Sequence, residues 1–548
     1  MIIRCYDRKD EFDEGTPVRE CLRRLGALDE DTLAAQRGGV VAELNEPLIH
    51  DCRLVPLTLR DEEGRRIYER SLRFVMLLAL KHLYPYEQVR IEYSVGYGVF
   101  VRLPYIDLHR QDIVKIENEM RRITELDLPF EKRQWSRDDA IEYFRAEHQD
   151  DKVELLSHRS MPWFNMYCCD GMWEYFYGAM TASTGSVKVF TLFELRGGFV
   201  LQLPNGSDLK KAAPYVYRPK HLSVFSESAL WCEYLNVQNV SDLFELRDEK
   251  RFRNFIRVNE ALHSARIDKI AETIAEKEKH IVLVAGPSSS GKTTFAGRLA
   301  VHLQSHGVLS RRISMDNWFI ERDNMPVGPD GTRDYEAPDA VDLELLHRNI
   351  NDLLEGEEVA LPTYNFTTGK REYNDAPVSL QYGEVLIVEG IHGMNPKVAA
   401  GFPEDEIYRI FVSALTCLNL DDHNRIRTTD VRLLRRLVRD YCTRGYSPAE
   451  TLAAWPAVRL GEEKWIFAYQ EEADVMFNTA LHYELPILKK FSYDLLKEIP
   501  ADSPEYLPSR RLIKTLNYMP DIDDSVLNEI PPLSLLREFI GGCTLEEE

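Results

Sequence analysis

Two glycines and a lysine stand at a spacing that is typical of phosphate binding. In LVAGPSSSGKTTFAGRLA, the pattern G-x-x-x-x-G-K-[ST] is met by Gly286, Gly291, Lys292 and Thr293. An apolar run precedes the pattern and a helix-forming run follows it, which is the context that the motif requires. Glycines let backbone N–H groups curl around phosphate oxygens, and a helix N-terminus adds partial positive charge. The loop is therefore predicted to hold a nucleoside triphosphate.

The expected cofactors are ATP and Mg²⁺. Lys292 would bring a positive charge to the outer phosphates, and the Thr293 hydroxyl would reach the Mg²⁺ that bridges the β- and γ-phosphates. The predicted ATP contacts are the nine residues of the loop: Gly286, Pro287, Ser288, Ser289, Ser290, Gly291, Lys292, Thr293 and Thr294.

Two carboxylates follow apolar runs downstream of the loop. Asp316, in RRISMDNWF, comes directly after a predicted strand, where a carboxylate can orient and deprotonate an attacking hydroxyl. A helix cap or an outer magnesium contact is the alternative for Asp316. Glu389 closes the apolar run of EVLIVEGIHG, and its carboxylate is predicted to reach Mg²⁺ through water. A purely structural glutamate is the alternative there.

Arginines are concentrated in one short stretch of an otherwise acidic chain, and no lysine lies among them. They are Arg425, Arg427, Arg432, Arg435, Arg436, Arg439 and Arg444. Arg432, Arg435, Arg436 and Arg439 recur at the spacing of one helix face, and guanidinium groups suit phosphate oxygens. The pattern favours a lid that closes over the γ-phosphate. A solvated basic helix and an ion-paired interface remain the alternatives.

Composition indicates a soluble cytoplasmic protein of several domains. A chain of 548 residues is too long for one core, and its formal charge of −22 argues against passive coating of nucleic acid. Nine scattered cysteines without a CxxC pair suit a reducing cytosol. No apolar run approaches the roughly 18 residues of a membrane span, so no membrane partner is expected.

Strands and helices alternate from residue 281 onward, which predicts an α/β fold with a parallel sheet. This P-loop kinase domain is expected over residues 263–485. A small α+β module is expected over 1–62, a second domain over 63–205, a linker over 206–262 and a C-terminal helical extension over 486–548.

Six ordered segments in the P-loop domain resemble the uridine kinase and phosphoribulokinase group. They are the P-loop, ISMDNWF, DYEAPDAVD, PTYNF, VLIVEGI and RLLRRLVRDYCTRG. The resemblance implies phosphoryl transfer to the 5′-hydroxyl of a nucleoside, as in pyrimidine salvage, with Asp316 as the base. It also implies catalytic roles for Lys292, Arg439 and Arg444, and substrate contacts from Asp316, Glu336, Tyr364, Arg371 and Arg436.

Two positions depart from that group. Gly369 stands where uridine-cytidine kinases carry a histidine that reads the base, and Tyr446 replaces the last arginine of the lid. A missing hydrogen-bond partner for the base can relax or redirect specificity. The nucleoside is therefore left open, with uridine or cytidine favoured.

The N-terminal half resembles the front of threonyl-tRNA synthetases. Residues 1–62 are similar to a TGS module of ubiquitin-like fold, and 63–205 to the editing domain that follows it, chiefly through DIVKIENEMRRITELDLPFEKRQWSRDDAIEYF. The editing motifs HxxxH and CxxxH read Arg70 and Phe74, and Cys169 and Trp173. Neither zinc binding nor editing hydrolysis is expected, and Cys169 is expected to be a buried small apolar residue.

Two rival functions remain beside the nucleoside kinase. One is a kinase of another small hydroxyl substrate, of phosphoribulokinase type. The other is a regulatory protein that binds tRNA or RNA and uses nucleotide as a switch, although the net charge of −22 argues against it. Stable nucleic-acid binding is not expected, while tRNA contact by the N-terminal half and homo-oligomer formation stay open.

Overall fold

Two regions of mixed helices and strands precede a parallel sheet along this chain. The computed structural model describes residues 1–206, 208–246, 248–325, 334–365, 368–373 and 376–545. Phe366, the last residue of the PTYNF segment, lies outside the described residues. No helix in these ranges is both long enough and apolar enough to cross a membrane.

The first region is a five-stranded sheet with one helix. Its elements are β1 (Ile2–Cys5), β2 (Arg8–Glu11), α1 (Val18–Arg24), β3 (Ala34–Arg37), β4 (Val40–Glu43) and β5 (Cys52–Leu57). The strand order is β2-β1-β5-β3-β4, with β1 and β5 parallel and the other pairs antiparallel. Ile3, Leu22 and Leu54 are buried between helix and sheet. The predicted α+β module is confirmed.

The second region contains two antiparallel sheets around a long buried helix. Its elements are α2 (Glu62–Leu83), β6 (Arg90–Val95), β7 (Gly98–Arg102), α3 (Arg110–Glu125), β8 (Glu131–Ser136), α4 (Arg137–Ala146), α5 (Asp150–Ser157), β9 (Trp163–Cys169), β10 (Met172–Glu174), β11 (Thr191–Leu195) and β12 (Gly198–Gln202). The sheets run β11-β12-β7-β6 and β10-β9-β8. The apolar run of α2 is buried from Phe74 to Leu80, so this helix forms the centre of the region.

Helices occupy most of the range that was expected to be a linker. They are α6 (Pro219–Leu235), α7 (Val240–Glu245) and α8 (Glu249–Glu276). Val224 and Phe225 pack with strands of the parallel sheet, and Phe252 and Ile256 join the large core that includes the C-terminal helices. The linker expectation for 206–262 is therefore wrong for the helical part. Proline is favoured at the first position of a helix, and Pro219 is the first residue of α6.

The third region is an α/β unit with alternating elements, as predicted. They are β13 (Ile281–Ala285), α9 (Lys292–Ser305), β14 (Ser310–Ser314), α10 (Leu343–Leu354), β15 (Pro362–Asn365), β16 (Lys370–Tyr373), β17 (Val385–Glu389), α11 (Pro396–Ala399), β18 (Ile407–Ser413), β19 (Asn419–Asp421), β20 (Asn424–Arg425), α12 (Thr428–Arg439), α13 (Pro448–Trp465) and β21 (Val475–Asn478). A π-helical turn, Asp440–Arg444, continues α12.

The main sheet of this region has the order β14-β17-β13-β18-β21, and each adjacent pair is parallel. All five residues of the central strand β13 are buried. Leu283 faces the core that contains α10, while Val282 and Val284 face the core that contains α8 and α9. The sheet is thus covered on both faces, and its strands end together at one edge.

Four further helices follow the sheet and pack on the same chain. They are α14 (Glu484–Lys497), α15 (Tyr506–Leu516), α16 (Asp524–Leu527) and α17 (Arg537–Ile540). Phe539 lies under the guanidinium of Arg435, with the ring centroid 5.0 Å from its central carbon. Arg511 on α15 reaches Asp430 on α12 at 3.3 Å. The C-terminal helices therefore contact α12 at Arg435 and, near the N-terminal end of α12, at Asp430.

Buried ion pairs join the N-terminal half to the α/β unit. Arg66 on α2 contacts Asp430 on α12 at 2.8 Å. Lys152 on α5 lies 3.3 Å from Glu174 and 3.5 Å from Asp421, and all three side chains are almost fully buried. Burying a charge costs several kcal/mol unless it is paired, so these contacts fix the two halves in one arrangement. We call this set the junction ion pairs.

Removal of one junction partner is expected to be strongly destabilising. Lys152→Met leaves Glu174 and Asp421 buried beside each other without their shared cation, and we expect a loss of about 3–5 kcal/mol in the free energy of unfolding. Lys115→Met on α3 is the matched control, because Lys115 is exposed and pairs only with Asp112 across one helical turn. Its cost should stay within about 0.5 kcal/mol. Denaturant titration measures both, and equal costs would contradict the account.

Candidate active site

The glycine-rich loop lies between β13 and α9, as its sequence context predicts. Gly291 has φ of +88°, the left-handed region that favours glycine. A Cβ atom at Gly286 would lie 2.1 Å from the Val412 carbonyl oxygen, so no other residue fits there. The hydroxyls of Ser289 and Ser290 are buried and have no hydrogen-bond partner among the described residues. Glycine cradle, helix N-terminus and unpaired hydroxyls together fit a bound triphosphate.

The two residues predicted to serve the metal lie in direct contact. Glu389 ends β17, and its register places it beside Val284 on one side and Ser314 on the other. The Thr293 hydroxyl donates to Glu389 Oε1 at 3.2 Å. Mg²⁺ in phosphate sites takes one or two protein ligands together with phosphate oxygens and water, and this pair suits that role. The described residues contain no group of three or more histidine, cysteine or acidic side chains that could hold a metal.

The pKa of the Glu389 carboxyl is raised to about 7, and burial is the largest cause. The negative charges of Asp316 and Glu538 also raise this pKa, while the positive charge of Lys292 lowers it. Lys292 and Asp316 therefore lie within electrostatic range of the metal pair. A cation bound here would favour the ionised carboxylate.

Asp316, Glu336 and Glu389 lie within electrostatic range of Lys292. Asp316 is the second residue of a 3-10 turn, Met315–Trp318, that begins directly after β14. Burial is the largest of the causes that bring the pKa of Glu336 to about 7; the charges of Glu462 and Asp316 also raise it, while Arg436 and Lys292 lower it. Lys292 and Asp316 act in the same way on Glu389. The three acidic residues that the sequence proposed are therefore near the lysine of the loop.

Tyr364 and Arg371 lie opposite each other in the hairpin of β15 and β16. The Tyr364 N–H donates to Asn317 Oδ1 at 3.5 Å, and its ring lies 5.6 Å from that of Phe319. Arg371 donates to Asp342 at 2.9 Å. Tyr364 is therefore held next to the residue that follows Asp316, while the Arg371 guanidinium is tied to the carboxylate that caps α10.

Glycine at position 369 has a structural reason. Its φ is +70°, and a Cβ atom there would lie 2.8 Å from the Cβ of Arg322. The Arg322 side chain thus covers the position where the resembling kinases carry a histidine. Any larger residue at 369 would have to displace this side chain and strain the backbone.

The four arginines of α12 do not form one phosphate-facing surface. Arg432 and Arg435 are buried in ion pairs with Glu462 and Glu484. This corrects the expectation that the whole helix face serves as a lid. Their spacing predicts a shared face, but α13, α14 and α17 pack against α12, and eight of its twelve residues are buried.

The remaining arginines lie next to the loop. Arg436 Nη1 donates to the Ser288 hydroxyl at 3.0 Å. Arg439 and Arg444 contact Asp440 at 2.8 Å and 3.8 Å. Burial lowers the pKa of Arg444, as does neighbouring Arg439, while Asp440 opposes them. Three guanidinium groups are therefore concentrated around Asp440, one of which reaches the loop.

Two carboxylates that the sequence did not point to accept hydrogen bonds from backbone N–H groups of the loop. The Ser288 N–H donates to Glu462 Oε1 at 2.9 Å. The Thr294 N–H donates to Glu538 Oε2 at 3.1 Å. These N–H groups belong to the cradle that would bind phosphate oxygens, so both carboxylates lie where an anion is favoured. No pattern in the sequence links Glu538 to the loop, because 244 positions separate it from Thr294.

Comparison with known proteins finds a family model that matches the α/β unit. Residues 281–484 match the model of the Phosphoribulokinase / Uridine kinase family. A uridine kinase of Staphylococcus aureus (strain JH9) is 28% identical over 201 residues, which cover 36% of this chain and 87% of that kinase. These matches support a P-loop kinase and confirm the resemblance stated from the six segments.

The N-terminal region matches threonine–tRNA ligases. The ligase of Acetivibrio thermocellus is 30% identical over 197 residues, which cover 34% of this chain and 30% of that ligase. The chain thus spans about a third of the length of this relative. A solved structure titled as a possible uridine kinase from Bacillus stearothermophilus aligns with a TM-score of 0.27 and 20% identity, over 39% of this chain and 98% of that chain.

The raised pKa of Glu389 predicts pH-dependent binding of the magnesium–nucleotide complex. The protonated carboxyl must lose its proton to face the metal, so affinity should increase as pH rises through about 7. Between about pH 6 and about pH 8, one such group gives roughly a tenfold gain. Calorimetric titration with a non-hydrolysable ATP analogue and Mg²⁺ measures this. Glu389→Gln should flatten the profile to that of the ligand itself, and an unchanged slope would contradict the assignment.

Glu538 is expected to compete with the nucleotide. Glu538→Ala frees the Thr294 N–H and removes a negative charge near Glu389, so the affinity for the ATP analogue should increase about three- to tenfold. Glu498→Gln removes the same charge from an exposed position and is the matched control. The same titration compares the variants. Unchanged or weaker binding by Glu538→Ala would show that the carboxylate does not oppose the ligand.

Proposed function

We propose that this protein transfers the γ-phosphate of ATP to the 5′-hydroxyl of a ribonucleoside, with uridine or cytidine favoured, and so forms the nucleoside 5′-monophosphate. The observation that carries the proposal is the Thr293–Glu389 contact at the glycine-rich loop, with Asp316 and Glu336 within electrostatic range of the adjacent Lys292. The match to the family model and the named uridine kinase relative support the same reaction class.

In this reaction each acidic residue has a separate task. Asp316 accepts the proton of the attacking hydroxyl, which makes the oxygen a better nucleophile. Glu336 accepts hydrogen bonds from the vicinal hydroxyls of the ribose and so fixes the sugar. Its pKa of about 7 falls when a hydroxyl donates to it, because a hydrogen bond stabilises the ionised form.

Positive groups stabilise the charge that develops on the transferred phosphoryl group. Lys292 neutralises the outer phosphates from the loop, and Arg436 approaches from the opposite side through its contact with Ser288. Arg439 and Arg444 add charge when they exchange Asp440 for phosphate oxygens. The magnesium ion, when bound beside Thr293 and Glu389, neutralises charge on the β- and γ-phosphates.

Arg322 and Tyr364 are proposed to form part of the wall that faces the nucleoside. The Arg322 side chain covers Gly369 and interacts electrostatically with Tyr364. A guanidinium donates hydrogen bonds but accepts none, which favours a base edge rich in carbonyl oxygens such as that of uracil. Uridine is therefore expected to be preferred over cytidine.

A substrate panel tests the proposed reaction. The full-length protein is incubated with Mg²⁺, ATP and, in separate reactions, nucleosides, sugar phosphates or tRNA, and ADP release is followed. We expect nucleoside-dependent ADP release that Asp316→Asn lowers by about 10³-fold or more in kcat, with ATP affinity changed by less than about threefold. Asp323→Asn, at an exposed position of the next 3-10 turn, is the matched control and should retain activity.

The other outcomes of the panel each assign a different function. ADP release that depends only on sugar phosphates would identify a kinase of another hydroxyl substrate. Binding of tRNA without substrate-dependent turnover would favour the regulatory protein. Full activity of Asp316→Asn would remove Asp316 from the role of base.

A further inference from the structure

Four cationic side chains lie near one another at a place separate from the glycine-rich loop. Arg70 is on α2, Lys132 on β8, Arg159 follows α5, and Lys514 is on α15. We call this group the cation cleft. It lies where the second region of the N-terminal half meets the C-terminal helices, and junctions of this kind are common places for ligands.

The segment Tyr175–Ala179 links two of these cations. The Arg70 guanidinium donates to the Ala179 carbonyl oxygen and lies so close to Gly178 that a Cβ atom there would be 2.5 Å from it. The Tyr167 hydroxyl donates to the Gly178 carbonyl oxygen at 3.1 Å, and the Lys132 ammonium lies 6.0 Å from the centre of the Tyr167 ring. Arg70 and Lys132 therefore border the same loop.

The end of α15 brings the other two cations to this segment. Arg159 lies over the ring of Tyr518, 3.8 Å from its centre, and the Tyr518 ring packs against Tyr177 at 4.7 Å. Lys514 is one helical turn before Tyr518. Dense packing around Lys514 is the largest of the causes that bring its pKa to about 7; the positive charges of Arg70, Arg159 and Lys132 also lower it, and Glu63 opposes them. Part of the Lys514 side chain still reaches the surface, so an anion from solution can approach it.

Only one of the four cations is in an ion pair among the described residues. Lys132 contacts Glu43 at 3.4 Å, whereas Arg70, Arg159 and Lys514 belong to no ion pair there, although the chain has a net charge of −22 and Glu63 acts on Arg70 and Lys514 from a longer distance. Arg159 is only 8% exposed, yet its Nη1 has no hydrogen-bond partner. Its Nη2 contacts only the sulfur of Met161, at 3.0 Å. The junction ion pairs nearby show the opposite arrangement, since each buried cation there faces a carboxylate.

We propose that the cation cleft binds a small phosphate-bearing anion between α2, the segment Tyr175–Ala179 and α15. Guanidinium groups match the geometry of phosphate oxygens, and the Lys514 ammonium adds a point charge at the open side. The anion adds to the charge of Glu43 and Glu63 and supplies a partner for Arg159 Nη1, which lowers the cost of burying that guanidinium. A small ligand fits better than RNA, because the surrounding field of a −22 protein repels an extended polyanion.

Binding at this cleft would stabilise the contact between α15 and α2. Arg511, one turn before Lys514, already holds Glu63 on α2 and Asp430 on α12. A ligand that ties Lys514 to Arg70 would act on the same pair of helices. The proposal is independent of the proposed kinase reaction, because none of its residues touches the glycine-rich loop.

Isothermal titration with inorganic phosphate tests the cleft in the full-length chain. Lys292→Ala serves as the parent, so that phosphate binding at the glycine-rich loop is weakened in every protein. Lys514→Met and Arg159→Met are added singly, and Arg510→Met is the matched control. Arg510 lies on the same helix, is exposed and carries the same charge, but belongs to no part of the cleft.

We expect the parent and the Arg510→Met protein to bind phosphate, with binding at least about tenfold weaker after Lys514→Met or Arg159→Met. Without phosphate, Lys514→Met should unfold at a higher temperature than the parent, because it removes a repelled charge. A nucleoside monophosphate is titrated in parallel, and tighter binding than phosphate would identify a nucleotide as the source of the phosphate group.

Three results would overturn the proposal. One is the absence of phosphate binding to the parent, and another is equal binding by all four proteins. The third is tRNA binding that the cleft substitutions abolish while phosphate has no effect, which would assign the cations to RNA. Loss of binding in the two cleft variants without a fall in melting temperature excludes simple unfolding as the cause.

Discussion

One buried carboxylate connects the arginine helix to the glycine-rich loop, and the geometry of the candidate active site depends on it. Glu462 pairs with Arg432, with side-chain exposures of 0% and 1%, and also accepts the N–H of Ser288. Desolvating this pair is costly, and such pairs contribute orientation more reliably than stability. Here the orientation is functional, because it holds α12 at the distance from which Arg436 reaches Ser288.

Local patterns in the sequence predicted the frame of the site well. The glycine-rich loop, Asp316 and Glu389 each follow a strand, and the ends of parallel strands must meet at one edge. The sequence could not predict which arginines of α12 face the site. That division depends on tertiary packing of α13, α14 and α17 against α12, which the pattern within α12 does not contain. The contacts of Glu462 and Glu538 with the loop are non-local for the same reason.

In the N-terminal half, the positions where the resembling synthetases carry their editing motifs are occupied by residues of different chemistry. Phe74 is fully buried and packs edge-on against Phe130 at 5.2 Å. Burial raises the pKa of the Cys169 thiol to about 12, so this group is a neutral thiol in the core. The burial of Cys169 follows the prediction from the sequence, since an isolated cysteine favours burial. The convergence of Arg70 with Lys514 required the fold, because 444 positions separate them in sequence.

The junction ion pairs have a consequence for the evolution of this architecture. Asp430 on α12 forms ion pairs with Arg66 from the N-terminal half and with Arg511 from the C-terminal helices. Three parts of the chain therefore meet at one carboxylate. If the α/β unit were separated from the N-terminal half, it would expose charged side chains that normally contact protein rather than solvent. Gene fission between the two halves would therefore require compensating changes at these positions. The fusion is hard to reverse for this physical reason, whatever advantage first brought the halves together.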